Sequence, residues 1–180
     1  MKYFAKIIII TVLIVFIMAF YLTYFFILYP LKYKDAILEY SEEFDVDPAL
    51  IASVINCESS FKKDSVSESG AIGLMQIMPS TAEFVANIIE IEYQESSLYD
   101  PKINIRIGTK YLSYLLIKFN DCFTALCAYN AGEGIVNSWL SDENYSINSE
   151  TLTTTPYKET NAFSKNVINN ISHYYYRIYS

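Results

Sequence analysis

One carboxylate sits among aliphatic side chains where it has chemical consequences. Asp47-Pro48 pairs a capping side chain with a proline at the first helical position, which starts a helix. At about 100° per residue, Leu50, Ile51, Val54 and Ile55 share one apolar stripe, and Glu58 falls in its middle. A carboxylate on a core-facing stripe is costly to ionise, so its pKa is pushed upward. An acid still protonated near neutral pH can give a proton to the leaving oxygen of a glycosidic bond. The bland alternative is that Glu58 ends the helix and turns to solvent, and the helix alone leaves both readings open.

The next residues narrow the choice. A polar loop leads to Gly70-Ala71-Ile72-Gly73-Leu74-Met75-Gln76-Ile77-Met78-Pro79, where two glycines three apart allow close backbone approach. Glu58-Ser59-Ser60-Phe61 followed by Gly73-Leu74-Met75-Gln76-Ile77-Met78-Pro79 resembles the catalytic core of the soluble lytic transglycosylases, lysozyme-like enzymes that cut bacterial peptidoglycan. Ala128-Tyr129-Asn130-Ala131-Gly132 matches a third block of that family, and Pro156-Tyr157-Lys158-Glu159-Thr160 resembles a fourth. The resemblance runs from about Ile37 to Tyr179. After Thr160 the chain departs from the family pattern: an Arg is common there, and Asn161-Ala162-Phe163-Ser164 stands instead.

The resemblance implies a single general acid/base. Glu58 would protonate the oxygen joining N-acetylmuramic acid to N-acetylglucosamine, then take the proton of the muramyl C6 hydroxyl as it attacks C1, giving a 1,6-anhydro end. A tethered nucleophile has a high effective concentration. The same resemblance makes Met75 and Gln76 lining residues of the sugar cleft. It places Tyr129 and Asn130 beside Glu58, makes Ser59 a support for the Glu58 region, and gives Glu159 a contact to the peptide stem or a role in closing the cleft. Two other readings remain: a hydrolase like goose-type lysozyme, which needs a second acid to position water, and a peptidoglycan-binding protein without chemistry. Asp64, Glu68 and Glu159 are among the acids available for the former, and the sequence does not show that any of them faces Glu58.

Composition excludes other classes. Thirteen basic residues face twenty acidic ones, and four of the basic residues precede Asp35, which leaves −11 from that residue onward. Nucleic acid is therefore no expected partner, and electrostatic steering towards an anionic wall is absent. Recognition should rest on aromatic stacking and hydrogen bonds, for which seventeen Tyr and eleven Phe are available. Cys57, Cys122 and Cys127 lack the spacing of a disulfide framework or a zinc site, and His173 is the only histidine. No metal or other cofactor is expected. The implied partners are peptidoglycan glycan strands and, beyond them, cell-wall or secretion machinery.

The elements that position these residues are helices. Ile7 to Leu28 carries no charge and would span about 33 Å as a helix. With no small-residue cleavage site, it reads as an uncleaved signal anchor, with Tyr21, Tyr24 and Tyr29 in the interfacial belt. The expected organisation is a tail, single-pass anchor and linker over residues 1–34, then an all-α, lysozyme-like (goose-type/lytic transglycosylase) domain over 35–180. Because peptidoglycan lies outside the bacterial cell membrane, that domain is placed extracytoplasmically. Helices are expected over Ser80 to Ile91, with Phe84, Val85, Ile88 and Ile89 facing inward, from Asp100-Pro101 to Asn120, over Phe123 to Ala131, over Glu133 to Leu140 and over Lys158 to Tyr179. The polar stretch from Ser141 to Pro156 is expected to be a mobile flap near the cleft.

Overall fold

Asp-Pro pairs open two of the helices that frame the fold. A computed structural model of the chain describes residues 2–180. The Asp47 carboxylate accepts from Ala49 N (2.7 Å) and starts α3 (Pro48–Ser59). Asp100 does the same for Lys102 N (2.9 Å) and Ile103 N (3.1 Å) at the head of α5 (Pro101–Phe119). In each case the cap satisfies amides that have no partner within the helix, and the proline sits where no amide proton is needed. The other helices are α1 (Lys2–Leu28), α2 (Lys34–Phe44), α4 (Pro79–Ile88), α6 (Cys122–Ala131), α7 (Glu133–Leu140) and α8 (Lys158–Tyr179). A short 3₁₀ turn covers Glu95–Tyr99. Pairing of extended backbone among the described residues is limited to isolated bridges, so the fold is all-α as expected.

The chain divides into two units at Pro30. The first holds α1, where Tyr3–Leu28 is long and apolar enough to cross a membrane, with a mean hydropathy of 2.7. The hydroxyls of Thr11 and Thr23 donate to the carbonyls of Ile7 and Ala19 one turn back, so neither needs water.

The second unit, Leu31–Ser180, is built around α3. Sequence periodicity predicts one apolar stripe on this helix, yet Ala49 to Ile55 are all buried, on every face. The reason is α8, which packs along α3 from more than a hundred residues downstream, while α2 covers another side. A helix buried around its circumference loses the amphipathic signal. It ends at Ser60 (φ 51°) and Phe61 (φ 60°), two consecutive left-handed residues without a glycine. Such conformations cost about 1–2 kcal/mol each. Phe61 is 1% exposed and packs near the Tyr174 ring (6.1 Å), and burial of a Phe side chain, worth about 1.5–3 kcal/mol, offsets much of that cost.

Two expectations about flanking segments change. α4 ends at Ile88, and Phe84 and Ile88 are exposed while Ala82, Val85 and Ala86 are buried, because α4 packs principally on α5. The stretch from Ser141 to Pro156 is a pinned loop rather than a flap. Leu152 is buried in the cluster formed by α5, α6 and α7, and its amide donates to Thr124 Oγ1 (2.9 Å). Thr153 N bonds Tyr145 O (2.8 Å) and Ser146 Oγ bonds Thr151 O (2.8 Å), closing the loop on itself.

Candidate active site

Glu58 lies in the last turn of α3, partly buried, on the lining of a groove of about 510 Å³. Its carboxyl is pushed up to about 8, first by burial and then by the neighbouring charge of Glu159. It is therefore a proton donor at neutral pH, as its place among apolar neighbours implied.

The Gly70–Pro79 loop forms one wall, and a buried residue on α5 shapes it. Asn104 Oδ1 accepts from Met75 N (2.8 Å), while Asn104 Nδ2 donates to the carbonyls of Ile72 (2.9 Å) and Leu98 (2.8 Å). One fully buried amide thus orders three backbone groups. Gly73 (φ 81°) passes so close to Asn104 that a Cβ there would collide with its side chain. One turn further along α5, Gly108 makes room for the Met75 side chain.

This packing settles the two methionines. The motif places Met75 in the cleft, but its side chain is fully buried against α5, and it is Met78, 38% exposed, that lines the groove. Gln76 takes a left-handed backbone (φ 48°), which turns the chain between them. Gln76 does line the groove. Its Nε2 donates to Gly73 O (2.8 Å) and Ser65 O (3.1 Å). Carbonyls can only accept, so these two bonds fix the amide and leave Oε1 as an acceptor for a ligand.

The facing residues come from α6 and α8. Tyr129 donates its hydroxyl to Met75 O (2.8 Å), and its ring lies beside those of Tyr111 (5.5 Å) and Phe163 (6.5 Å). Burial, and after it the Glu58 charge, push its pKa well up, so it stays a neutral donor. Asn130 Oδ1 accepts from the buried Thr160 hydroxyl (2.7 Å), which leaves Nδ2 free as a donor. Glu159 sits exposed in the first turn of α8 and lines the same groove. Ser59 is buried and its hydroxyl bonds Leu74 O (2.7 Å), so it clamps the Glu58 turn to the loop without lining the groove. A second hollow of about 210 Å³ shares Gln76, Met78, Tyr129 and Asn130 and extends the groove.

The groove therefore shows a ligand an acceptor (Gln76), a donor (Asn130), a protonated acid (Glu58) and an exposed carboxylate (Glu159). An acetamido group carries one donor and one acceptor and is matched by the first pair. The transglycosylase SLT domain matches residues 35–153. The chain belongs to this family. It is 35% identical over 144 residues to the soluble lytic murein transglycosylase of Salmonella typhimurium, covering 78% of this chain and 22% of that protein. It is also 35% identical over 129 residues to the membrane-bound lytic murein transglycosylase C of Edwardsiella ictaluri, covering 65% and 36%. Among solved structures, an inactive mutant of the lytic transglycosylase Slt of Pseudomonas aeruginosa superposes with a TM-score of 0.74 at 29% identity, covering 83% of this chain and 25% of that one. The chain thus spans well under half the length of these relatives.

Sequence reasoning missed Asn104, which acts on the groove through the loop, and Thr160, which lines the groove and holds Asn130. A signal for Asn104 exists: it is a lone polar residue one turn before Gly108 on a helix face otherwise read as apolar.

Proposed function

We propose that this SLT-family chain is a membrane-anchored peptidoglycan lytic transglycosylase that cuts the bond from N-acetylmuramic acid to N-acetylglucosamine and leaves 1,6-anhydromuramyl ends. The observation that carries the reading is Glu58, held protonated in a groove that displays one acceptor and one donor beside it. The Glu58 proton passes to the glycosidic oxygen as the C1–O bond breaks. The substrate's own acetamido oxygen shields the charge at C1. The carboxylate left behind accepts the proton of the C6 hydroxyl, whose oxygen closes on C1. Glu58 thus ends protonated, ready for another cycle. Tyr129, locked to Met75 O, and Asn130, locked by Thr160, hold the reacting sugar without exchanging protons.

A second reading has its own support. Glu159 faces the same groove and acts electrostatically on Glu58, so a water held by Glu159 could replace the C6 hydroxyl, making the enzyme a hydrolase. Mass analysis of fragments released from purified wall decides between them: anhydro ends weigh one water less than reducing ends. Reducing ends alone overturn the transglycosylase reading.

Tyr3–Leu28 supplies the anchor, and a wall substrate places the body outside the membrane. Protease added to wall-free cells should then digest the body. Digestion confined to the short N-terminal tail overturns that orientation.

A further inference from the structure

Away from the groove, the body carries a separate hollow of basic character. Lys32, Lys62 and Lys63 line a cavity of about 400 Å³ together with Tyr33, Phe61 and Asp64. Three ammonium groups against one carboxylate stand out on a chain that carries −11 from Asp35 onward. The Lys63–Asp64 pair is loose at 3.9 Å, with side chains 51% and 73% exposed, and neutralises little. Lys32 and Lys62 enter no ion pair among the described residues. Tyr33, Ser60 and Phe61 all have left-handed backbones, and these bends present the two basic segments to one hollow floored by the buried Phe61 ring.

The position of Lys32 in the chain says what the hollow meets. It lies four residues beyond Leu28, the last residue of the apolar helix. An extended chain covers at most about 3.6 Å per residue, so covalent connection alone keeps Lys32 within about 14 Å of that helix end. If α1 spans a bilayer, the three ammonium groups are confined near its charged surface, where lysines are attracted to anionic headgroups.

We propose that this basic hollow seats the phosphate headgroups of an anionic bilayer, so that the body is docked on the membrane as well as tethered to it. The proposal rests on the reading of α1 as a span. Ser65 lines the hollow, and its carbonyl accepts from the Gln76 amide (3.1 Å), so one loop borders both the hollow and the groove.

The test uses the full chain in nanodiscs of phosphatidylglycerol or phosphatidylcholine. Lysines are acylated with a water-soluble ester and the rate at each is read by mass spectrometry, with the exposed Lys165 as reference. Lys62 and Lys63 should react about fivefold or more slowly in the anionic discs, relative to Lys165, and high salt should remove the difference. Equal rates in the two lipids, in a chain that co-purifies with both discs, overturn the docking and leave the span standing. A chain that co-purifies with neither overturns the span and the docking with it. Protection in phosphatidylcholine discs on adding free glycerol phosphate, or only on adding a soluble polyglycerol phosphate, assigns the hollow to a small anion or a wall polymer and overturns the bilayer.

Discussion

Replacing Glu58 by Gln should silence the groove and stabilise the fold together, for one physical reason. The folded chain holds this carboxyl at about 8, against an ordinary value of 4.5. Below the ordinary value both folded and unfolded chains keep the proton, and no pH-dependent difference arises. Between the two values the unfolded chain loses a proton that the folded chain retains, so stability falls as pH rises, and the loss is complete once the folded carboxyl ionises as well. At about 1.4 kcal/mol per pKa unit, the loss approaches about 3 kcal/mol at neutral pH and about 5 kcal/mol above the folded value. Gln has nearly the same size and no proton to lose. A domain of this length shifts its midpoint by about 2–4 °C per kcal/mol, so Glu58→Gln should melt about 6–12 °C above the wild type at neutral pH. Calorimetry of both proteins in detergent across the pH range, paired with fragment release from purified wall, reads both effects. The melting gap should close as pH falls towards the ordinary carboxylate range. Fragment release should drop by more than the ~10²–10⁴-fold typical of one acid–base group, because one residue serves both steps. Wild-type activity should decline as pH passes about 8. A melting gap independent of pH, or a variant that still cuts the wall, refutes the reasoning.

Other changes probe the neighbours of Glu58. Glu159→Gln removes the second cause of the upward shift, so the alkaline limb of the activity profile should move to lower pH while most activity remains; complete loss of cleavage favours the hydrolase. Gly73→Ala puts a Cβ into Asn104 and the Leu98 carbonyl at a left-handed position and should cost about 3 kcal/mol or more in chemical denaturation, so a wild-type midpoint contradicts the packing described. Thr160→Val frees the Asn130 amide and should lower kcat/KM by about tenfold, the worth of one oriented hydrogen bond, with little change in melting; unaltered kinetics remove Thr160 from any positioning role.

The sequence by itself determined what short-range energetics control. Asp47-Pro48 and Asp100-Pro101 start their helices because a carboxylate two or three residues before an unpaired amide caps it whatever the rest of the chain does. Glu58 could be singled out because its apolar neighbours are three, four, seven and eight residues away on the same helix. The uncharged run that forms α1 needed composition alone. Tertiary structure decided the rest. Periodicity says which way a side chain faces only while the backbone is regular, and left-handed Gly73 and Gln76 break it, which is why Met75 goes inward and Met78 lines the groove. The bonds that give Gln76 a free acceptor and Asn130 a free donor run to Ser65 and Thr160, and the loop is shaped from Asn104, 29 residues beyond Met75. Ser141 to Pro156 carries little apolar surface, and burial of Leu152 with its amide on Thr124 suffices to pin it. Partners that far apart leave no local pattern, because their contact exists only after α5, α6 and α8 have packed around α3 and the loop.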